Sequence, residues 1–171
     1  VVRHCINRGL GASIGTGLEA ARRGGANVIL TLDADGQHDP AEIPLFVRAI
    51  NDGADVVVGS RMLTQFKGMP WYRQIAQRIG NLVTYVLFGA KVTDSQSGYR
   101  AFTSHAAGVI EIKTNRMEVS SEIIHEIHRN KLTYKEVPIK AIYTDYSLSK
   151  GQGFFVGIKT VGKLILRRVV K

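Results

Sequence analysis

The chain has 171 residues, of which 44% are hydrophobic and 22% charged, so it is long enough for one domain with a buried core and is not typical of a disordered protein. Its single cysteine, Cys5, excludes an internal disulfide and, with no signal-peptide pattern after Val1, indicates a reducing, cytoplasmic setting. The net charge is +9, and residues 150–171 carry several basic side chains and no acid, which indicates an anionic partner.

Helices and strands alternate along the first part of the chain. The sequence predicts a helix over 11–24, followed by an apolar run at 27–32 that is typical of a strand buried on both faces of a parallel sheet. The next helix is predicted to begin with Asp39 as its N-cap, and Glu42 completes a capping-box pattern.

The second part of the chain continues the same alternation. A second buried strand is predicted within 54–61, helices over 70–88 and 117–130, and one or two strands within 132–144. This order predicts an α/β fold with an open, mostly parallel sheet and flanking helices. Because residues 1–11 resemble a strand and turn from the middle of a domain, we expect an N-terminal strand–helix–strand unit to be absent from this sequence.

Two carboxylates follow the first predicted strand. Asp33 and Asp35 project to the same side if the backbone stays extended, at the end of a strand where open α/β sheets bind ligands. A hard divalent ion such as Mg²⁺ or Mn²⁺ would relieve their repulsion and bridge to a substrate diphosphate. A solvated turn is the alternative. An EF-hand is excluded because Gln37, His38 and Pro44 stand at its ligand and glycine positions. For His38 we predict a surface turn, with contact to the metal site as the alternative.

Five separated segments resemble family 2 glycosyltransferases in sequence and in order. They read NRGLGASIGTGLEAA, LDADGQHDP, ADVVVGSR, DSQSGYRAF and YTDYSLSKGQG. They are most similar to the branch that makes dolichol-phosphate or polyprenyl-phosphate mannose or glucose. The resemblance implies the GT-A fold and an inverting transfer of a hexose from GDP-mannose or UDP-glucose to a polyprenyl or dolichyl phosphate. It also implies that base-binding strands preceding Val1 are missing, so that this chain alone is expected to be inactive or unable to choose its nucleotide.

The resemblance assigns roles to individual residues. Asp33, Asp35 and Gln37 would hold Mg²⁺ or Mn²⁺ and the donor diphosphate, with Asp35 also counted as catalytic. Asp94 is also counted as catalytic: it would lie near the reacting centre and either orient the acceptor or serve as a base, and we favour the positioning role. Ser97 and Gly98 would form a tight substrate loop. The residues expected to contact donor or acceptor phosphates are Arg61, Arg73, Arg100 and Lys150. For Arg100, pairing with an acid is an equal alternative.

The end of the chain forms the second predicted unit, 151–171, after a partial glycosyltransferase domain at 1–150. As a helix it would carry basic residues at four-residue steps opposite an apolar face, which is typical of an anionic membrane surface. Packing on the domain is the alternative. Nucleic acid is not expected as a partner, because Phe154 and Phe155 are the only aromatic residues there. We therefore expect a cytoplasmic protein that is peripherally associated with a membrane.

Other functions remain open at this level. A family 2 transferase could use a saccharide acceptor, and a non-catalytic module could bind membranes or nucleic acids through its basic residues. A phosphatase that resembles the haloacid dehalogenases is a minor alternative, because that family expects Thr or Val where Gln37 stands. The His125–His128 pair has one residue too few for a metalloprotease motif and predicts a solvated helix face.

Overall fold

The computed structural model describes residues 1–64, 71–89, 91–115, 118–140 and 142. The helices are α1 (Leu10–Arg23), α2 (Ile43–Asn51, preceded by a 3₁₀ turn at Pro40–Glu42), α3 (Trp71–Phe88), α4 (Ser104–Val109) and α5 (Val119–Arg129). The strands are β1 (Val28–Thr31), β2 (Val56–Ser60), β3 (Arg100–Thr103) and β4 (Tyr134–Pro138). The predicted α/β alternation is therefore confirmed.

The strands form one open sheet in the order β1-β3-β2-β4. β2 and β4 are parallel, whereas β3 runs antiparallel to both β1 and β2. Three of the four strands thus point the same way, as the mostly parallel prediction requires. The sequence did not predict β3, whose four residues follow a polar loop. Because β3 runs antiparallel to β1 and β2, it begins where those two strands end. The loop that leads into β3 therefore lies beside the last residues of β1 and β2.

Helices cover both faces of the sheet. One face, with Val56 and Phe102, packs against α1, α4 and α5, and the other, with Val57, packs against α2. Every residue of β2 is buried, which agrees with its apolar sequence and with a central position in the sheet. The core therefore fixes the ends of β1 and β2, from which the candidate site residues extend.

Hydrogen bonds test the two predictions made for the start of the second helix, the Asp39 cap and the Glu42 capping box. Asp39 caps the 3₁₀ turn as predicted, since its carboxylate accepts from the Ala41 backbone N–H at 2.9 Å. The predicted capping box was wrong: the Glu42 carboxylate accepts instead from the backbone N–H of Lys140, 2.9 Å away, which lies just beyond β4. At the start of α1, a Cβ on Gly11 would lie 1.7 Å from the Thr114 carbonyl oxygen, so this glycine allows close backbone packing.

The predicted tail at 151–171 and Lys150 lie outside the described residues, so the boundary between the two predicted units stays a prediction. Within the described ranges, none of the helices combines the length and the apolar composition that a bilayer crossing requires.

Candidate active site

Three segments meet where β1 and β2 end. The acid turn, which we define as residues 33–38, follows β1; Arg61 follows β2; and the loop 94–98 leads into β3. The Thr31 hydroxyl, at the end of β1, joins that strand to the third segment, because it donates to the Gly98 carbonyl oxygen at 3.0 Å. The structure thus brings together the residues that the sequence placed in separate motifs.

Asp33 lies directly over the loop. Its side chain is exposed, yet a Cβ on Gly98 would fall 2.6 and 2.7 Å from the two carboxylate oxygens of Asp33. Any other residue at position 98 would therefore displace this carboxylate. Ser97 is buried, and its hydroxyl oxygen accepts from the Tyr99 backbone N–H at 3.3 Å, which joins two residues of a short bend; the substrate role of the loop stays a prediction.

Asp35 and Gln37 hold each other inside the acid turn. The Gln37 backbone N–H and side-chain amide donate to the two oxygens of the Asp35 carboxylate, at 3.0 and 2.7 Å. Each oxygen accepts one of these bonds and keeps a further lone pair, and both Asp33 and Asp35 face solvent. The turn therefore presents two oriented carboxylates.

The donor set fits one kind of metal site. In the described part of the chain, no three His, Cys, Asp or Glu side chains come together as a protein cage for a metal ion. Mg²⁺ is commonly bound by one or two carboxylates, with substrate phosphates and water as its other ligands. Two exposed carboxylates, Asp33 and Asp35, fit that arrangement and do not fit a closed structural site.

Asp94 is paired inside the protein. Its carboxylate is 0% exposed and accepts from Arg61 through Nε at 2.7 Å, Nη2 at 2.8 Å and the backbone N–H at 3.1 Å. Glu136 of β4 supports the same loop, because its carboxylate accepts from the Thr93 backbone N–H at 2.9 Å. A phosphate that approached Arg61 would compete with Asp94 for the guanidinium, so the roles assigned to both residues stay predictions.

Arg100 lies beneath the loop and is 2% exposed. Its Nη2 donates to the carbonyl oxygens of Ser95 and Ser120, at 3.0 and 3.4 Å. Burial lowers the pKa of Arg100 to about 10, against the opposing influence of Asp94 and Asp33, so the group stays charged at neutral pH. Its position supports the loop and its charge offsets nearby acids, and a direct phosphate contact stays a prediction.

Two further predicted phosphate ligands cannot be placed. Arg73 lies in the first turn of α3, but its side chain is outside the described part of the structure, as is all of Lys150. Their contacts with phosphate stay predictions.

Comparison with known proteins identifies the family. The sequence profile named Glycosyl transferase family 2 matches residues 1–108, more than half of the chain. The chain is a family 2 glycosyltransferase. The resemblance seen in the sequence motifs is confirmed, and the observed α/β sheet is consistent with a GT-A domain.

Relatives of this family 2 glycosyltransferase include an uncharacterised protein and several enzymes whose names specify a dolichyl or polyprenyl lipid. An uncharacterised protein of Methanocaldococcus jannaschii is 44% identical over 99% of the chain and 72% of its own length. A UDP-N-acetylglucosamine–dolichyl-phosphate N-acetylglucosaminyltransferase of Methanococcus voltae is 40% identical, over 99% of the chain and 70% of its own length. The polyprenol monophosphomannose synthase of Mycolicibacterium smegmatis is 27% identical over 90% of the chain and 60% of its length.

The sequence missed one residue that shapes the candidate site. His38 was predicted in a surface turn, which was wrong: it is 8% exposed. Its Nδ1 accepts from the Asp33 backbone N–H at 3.1 Å, so its ring anchors the acid turn. The ring lies 4.9 Å from that of Tyr99, which stacks on Phe46 at 4.3 Å between ring centroids. Only the distant aromatic residues explain this burial, and local turn composition carries no signal for them.

The protonation state of His38 follows from that environment. Burial lowers the pKa of the imidazole, while the charge of Asp33 acts in the opposite direction. An unprotonated Nδ1 is also what the hydrogen bond from the Asp33 backbone N–H requires. His38 therefore holds the acid turn in its neutral form.

Proposed function

We propose that this family 2 glycosyltransferase moves a hexose from a nucleotide-diphosphate sugar to a polyprenyl or dolichyl phosphate. The observation that carries the proposal is the 40% identity, over 99% of the chain, to an enzyme named for a dolichyl-phosphate acceptor. The names of the relatives include both mannose and N-acetylglucosamine transfer, so the proposal adds N-acetylglucosamine to the mannose and glucose that the motifs imply.

The acid turn supports the donor half of this reaction. As the glycosidic bond breaks, negative charge develops on the leaving nucleoside diphosphate, and groups that stabilise that charge accelerate the step. Asp33 and Asp35, with the amide of Gln37 as the third predicted contact, would hold Mg²⁺ or Mn²⁺, which when bound supplies positive charge to the diphosphate. The hydrogen bonds from Gln37 and His38 orient the turn before substrate arrives.

The environment of Asp94 supports a positioning role at the acceptor half. An acceptor phosphate is already ionised near pH 7, so its attack on the anomeric carbon needs little help from a general base. Asp94 is fully buried and its carboxylate is occupied by Arg61. In the proposed mechanism Asp94 therefore fixes the Arg61 guanidinium beside the site, and Arg61 in turn orients phosphate.

The proposed place of action is the cytoplasmic face of a membrane. A lipid-linked acceptor must be reached at the interface, and the basic sequence at 151–171 would attract the protein to anionic lipids. Peripheral association through that segment is part of the proposal.

A transfer assay tests the function. The full-length protein would be incubated with dolichyl phosphate, Mg²⁺ or Mn²⁺ and, in separate reactions, labelled GDP-mannose, UDP-glucose or UDP-N-acetylglucosamine. We expect one donor to yield a labelled lipid that requires dolichyl phosphate. Transfer of label to a water-soluble glycan, whether or not dolichyl phosphate is present in the reaction, would contradict the lipid acceptor and support a transferase that uses a saccharide acceptor.

A further inference from the structure

A cavity lies at the opposite end of the strands from the acid turn. Its volume is about 460 Å³, and it opens between the end of α3, α5 and the start of β4. Tyr134, the first residue of β4, pairs with Val56, the first residue of β2, whereas the candidate active site follows the last residues of β1 and β2. The cavity is therefore separate from the transfer site. Its lining residues are Tyr85, Gly89, Lys91, Val92, Ile124, Ile127, His128, Lys131, Leu132 and Tyr134.

The charged groups of this cavity all have one sign. Lys91 and Lys131 line it, and no acidic residue does. In the part of the chain that the structure describes, neither lysine ammonium pairs with a carboxylate, and the Lys91 ammonium lies 5.8 Å from the ring centroid of Tyr85. The lysines follow α3 and α5, where cations complement the helix carbonyls. The helix carbonyls explain why positive charge is found at these two positions. They do not explain the cavity between the two lysines.

The inner wall of the cavity is apolar. It is formed by four core residues that are each less than one-tenth exposed: Val92, Ile124, Ile127 and Leu132. Ligand pockets combine such apolar walls with a few polar groups that fix orientation. A ligand that satisfies both parts has an anionic group for the rim and an apolar body for the wall.

The neighbouring surface of α3 indicates the source of such a ligand. Four apolar residues at helical spacing, between 46% and 71% exposed, form a stripe along α3: Ile75, Ile79, Leu82 and Val86. Tyr85 belongs both to this helix and to the cavity lining. An exposed apolar stripe beside a cationic rim is the combination that binds anionic lipid surfaces. The basic segment at 151–171 is a poor occupant, because the lysines of the rim would repel it.

We propose that this cavity binds the phosphate headgroup of an anionic membrane phospholipid. Lys91 and Lys131 contact the phosphate, and the glycerol and first acyl carbons lie against Ile124 and Leu132. The site holds a membrane lipid rather than the acceptor of the reaction, and it does not depend on the proposed transfer activity.

Short-chain lipids below their micelle concentration test the site in the full-length protein. Dihexanoyl phosphatidylglycerol carries both the anionic headgroup and the apolar body, dihexanoyl phosphatidylcholine lacks the net charge, and inorganic phosphate lacks the body. We expect only the phosphatidylglycerol to bind and to shift the NMR signals of the Ile124, Ile127 and Leu132 methyl groups. Equal binding of phosphatidylcholine, or equal binding of inorganic phosphate, would overturn the proposal.

A matched pair of charge reversals tests the rim. Lys131→Glu should weaken phosphatidylglycerol binding by about tenfold, since each lysine near an anionic lipid contributes appreciably to binding. Lys135→Glu makes the same change in net charge at an exposed position of β4, where the side chain points away from the face of Tyr134. It should leave binding unchanged. Equal loss in both variants would show that only the overall charge of the protein matters and would refute a defined site.

Discussion

Acids at the two sides of the candidate active site are held in opposite ways. Asp35 lies in an exposed turn, and its carboxylate accepts hydrogen bonds from the backbone and side chain of Gln37, two residues away. Asp94 is 0% exposed and accepts three hydrogen bonds from Arg61. The same side chain thus serves two purposes. The turn exposes its negative charge to solvent, whereas the charge of Asp94 is matched within the fold and organises the arginine.

Removal of Asp94 should have the largest effect on stability. Asp94→Ala leaves Arg61 without the carboxylate that neutralises it, and breaking a largely buried pair in this way costs about 3 kcal/mol. Urea unfolding would measure the loss. The pair predicts strong non-additivity, so that Arg61→Ala combined with Asp94→Ala costs much less than the sum of the single changes. Additive costs would contradict a coupled pair.

Substitution of Asp35 in the acid turn should lower activity and leave stability almost unchanged, in contrast to the loss of stability expected for Asp94→Ala. Asp35→Asn should reduce sugar transfer on the order of 100-fold, as removal of other electrostatic groups at reacting centres does. The free energy of unfolding should change by less than about 0.5 kcal/mol, because the side chain is exposed. Asp52→Asn, an exposed acid at the end of α2, provides the control and should alter neither quantity. Loss of stability without loss of activity would reverse the comparison.

The contact between the turn and the loop can be broken at one glycine. Gly98→Ala places a Cβ within 2.7 Å of both Asp33 carboxylate oxygens, and because this carboxylate is the exposed end of a flexible side chain, it should rotate aside at a cost of about 1 kcal/mol. It should also raise the KM for the sugar nucleotide, because the carboxylate moves. Gly17→Ala in α1, where a Cβ meets no atom within 4 Å, should instead stabilise the chain by about 0.5 kcal/mol or more. Equal effects at the two positions would refute the close contact.

The smallest effect is expected when the hydrogen bond from the Asp33 backbone N–H to His38 is removed. His38→Phe keeps an aromatic ring beside Tyr99 but removes the acceptor, and should cost about 1 kcal/mol. His38→Asn keeps an acceptor near the Nδ1 position and should recover the donor KM better than the Phe variant. If the Phe variant has the better KM, ring packing rather than the hydrogen bond positions the turn.

His38 also predicts how stability depends on pH. Burial lowers its pKa in the folded chain below the ordinary value of 6.5, so the unfolded chain takes up the proton first as the pH falls. Its contribution is therefore complete above about pH 6.5 and is lost as the pH falls through that value toward the folded pKa. The difference in unfolding free energy between wild type and His38→Phe should shrink below pH 6.5. A difference that is constant with pH would contradict a neutral, buried His38.

The structural features that the sequence predicted are those with a local cause. The apolar runs of β1 and β2 and the position of Asp33 and Asp35 after β1 follow from patterns within a few residues. The reversed strand β3 could not be predicted in the same way, because its four residues acquire their place from pairing with β1 and β2.

Long-range partners explain the remaining differences. The pairing of Arg61 with Asp94 joins residues 33 positions apart, and the ring contact of His38 with Tyr99 joins residues about twice as far apart in the sequence. Both contacts exist because β3 returns the chain to the edge where β1 and β2 end. Composition alone assigned His38 to a surface turn, and only its distant aromatic neighbour places it inside.

The most direct test is calorimetric binding of a nucleoside diphosphate to the full-length protein, with and without Mg²⁺, for wild type, Asp35→Asn and Asp52→Asn. A metal-diphosphate role for the acid turn predicts that binding requires Mg²⁺, weakens on the order of 100-fold in Asp35→Asn and is unchanged in Asp52→Asn. Binding that is equally strong without Mg²⁺ and in all three proteins would contradict that role.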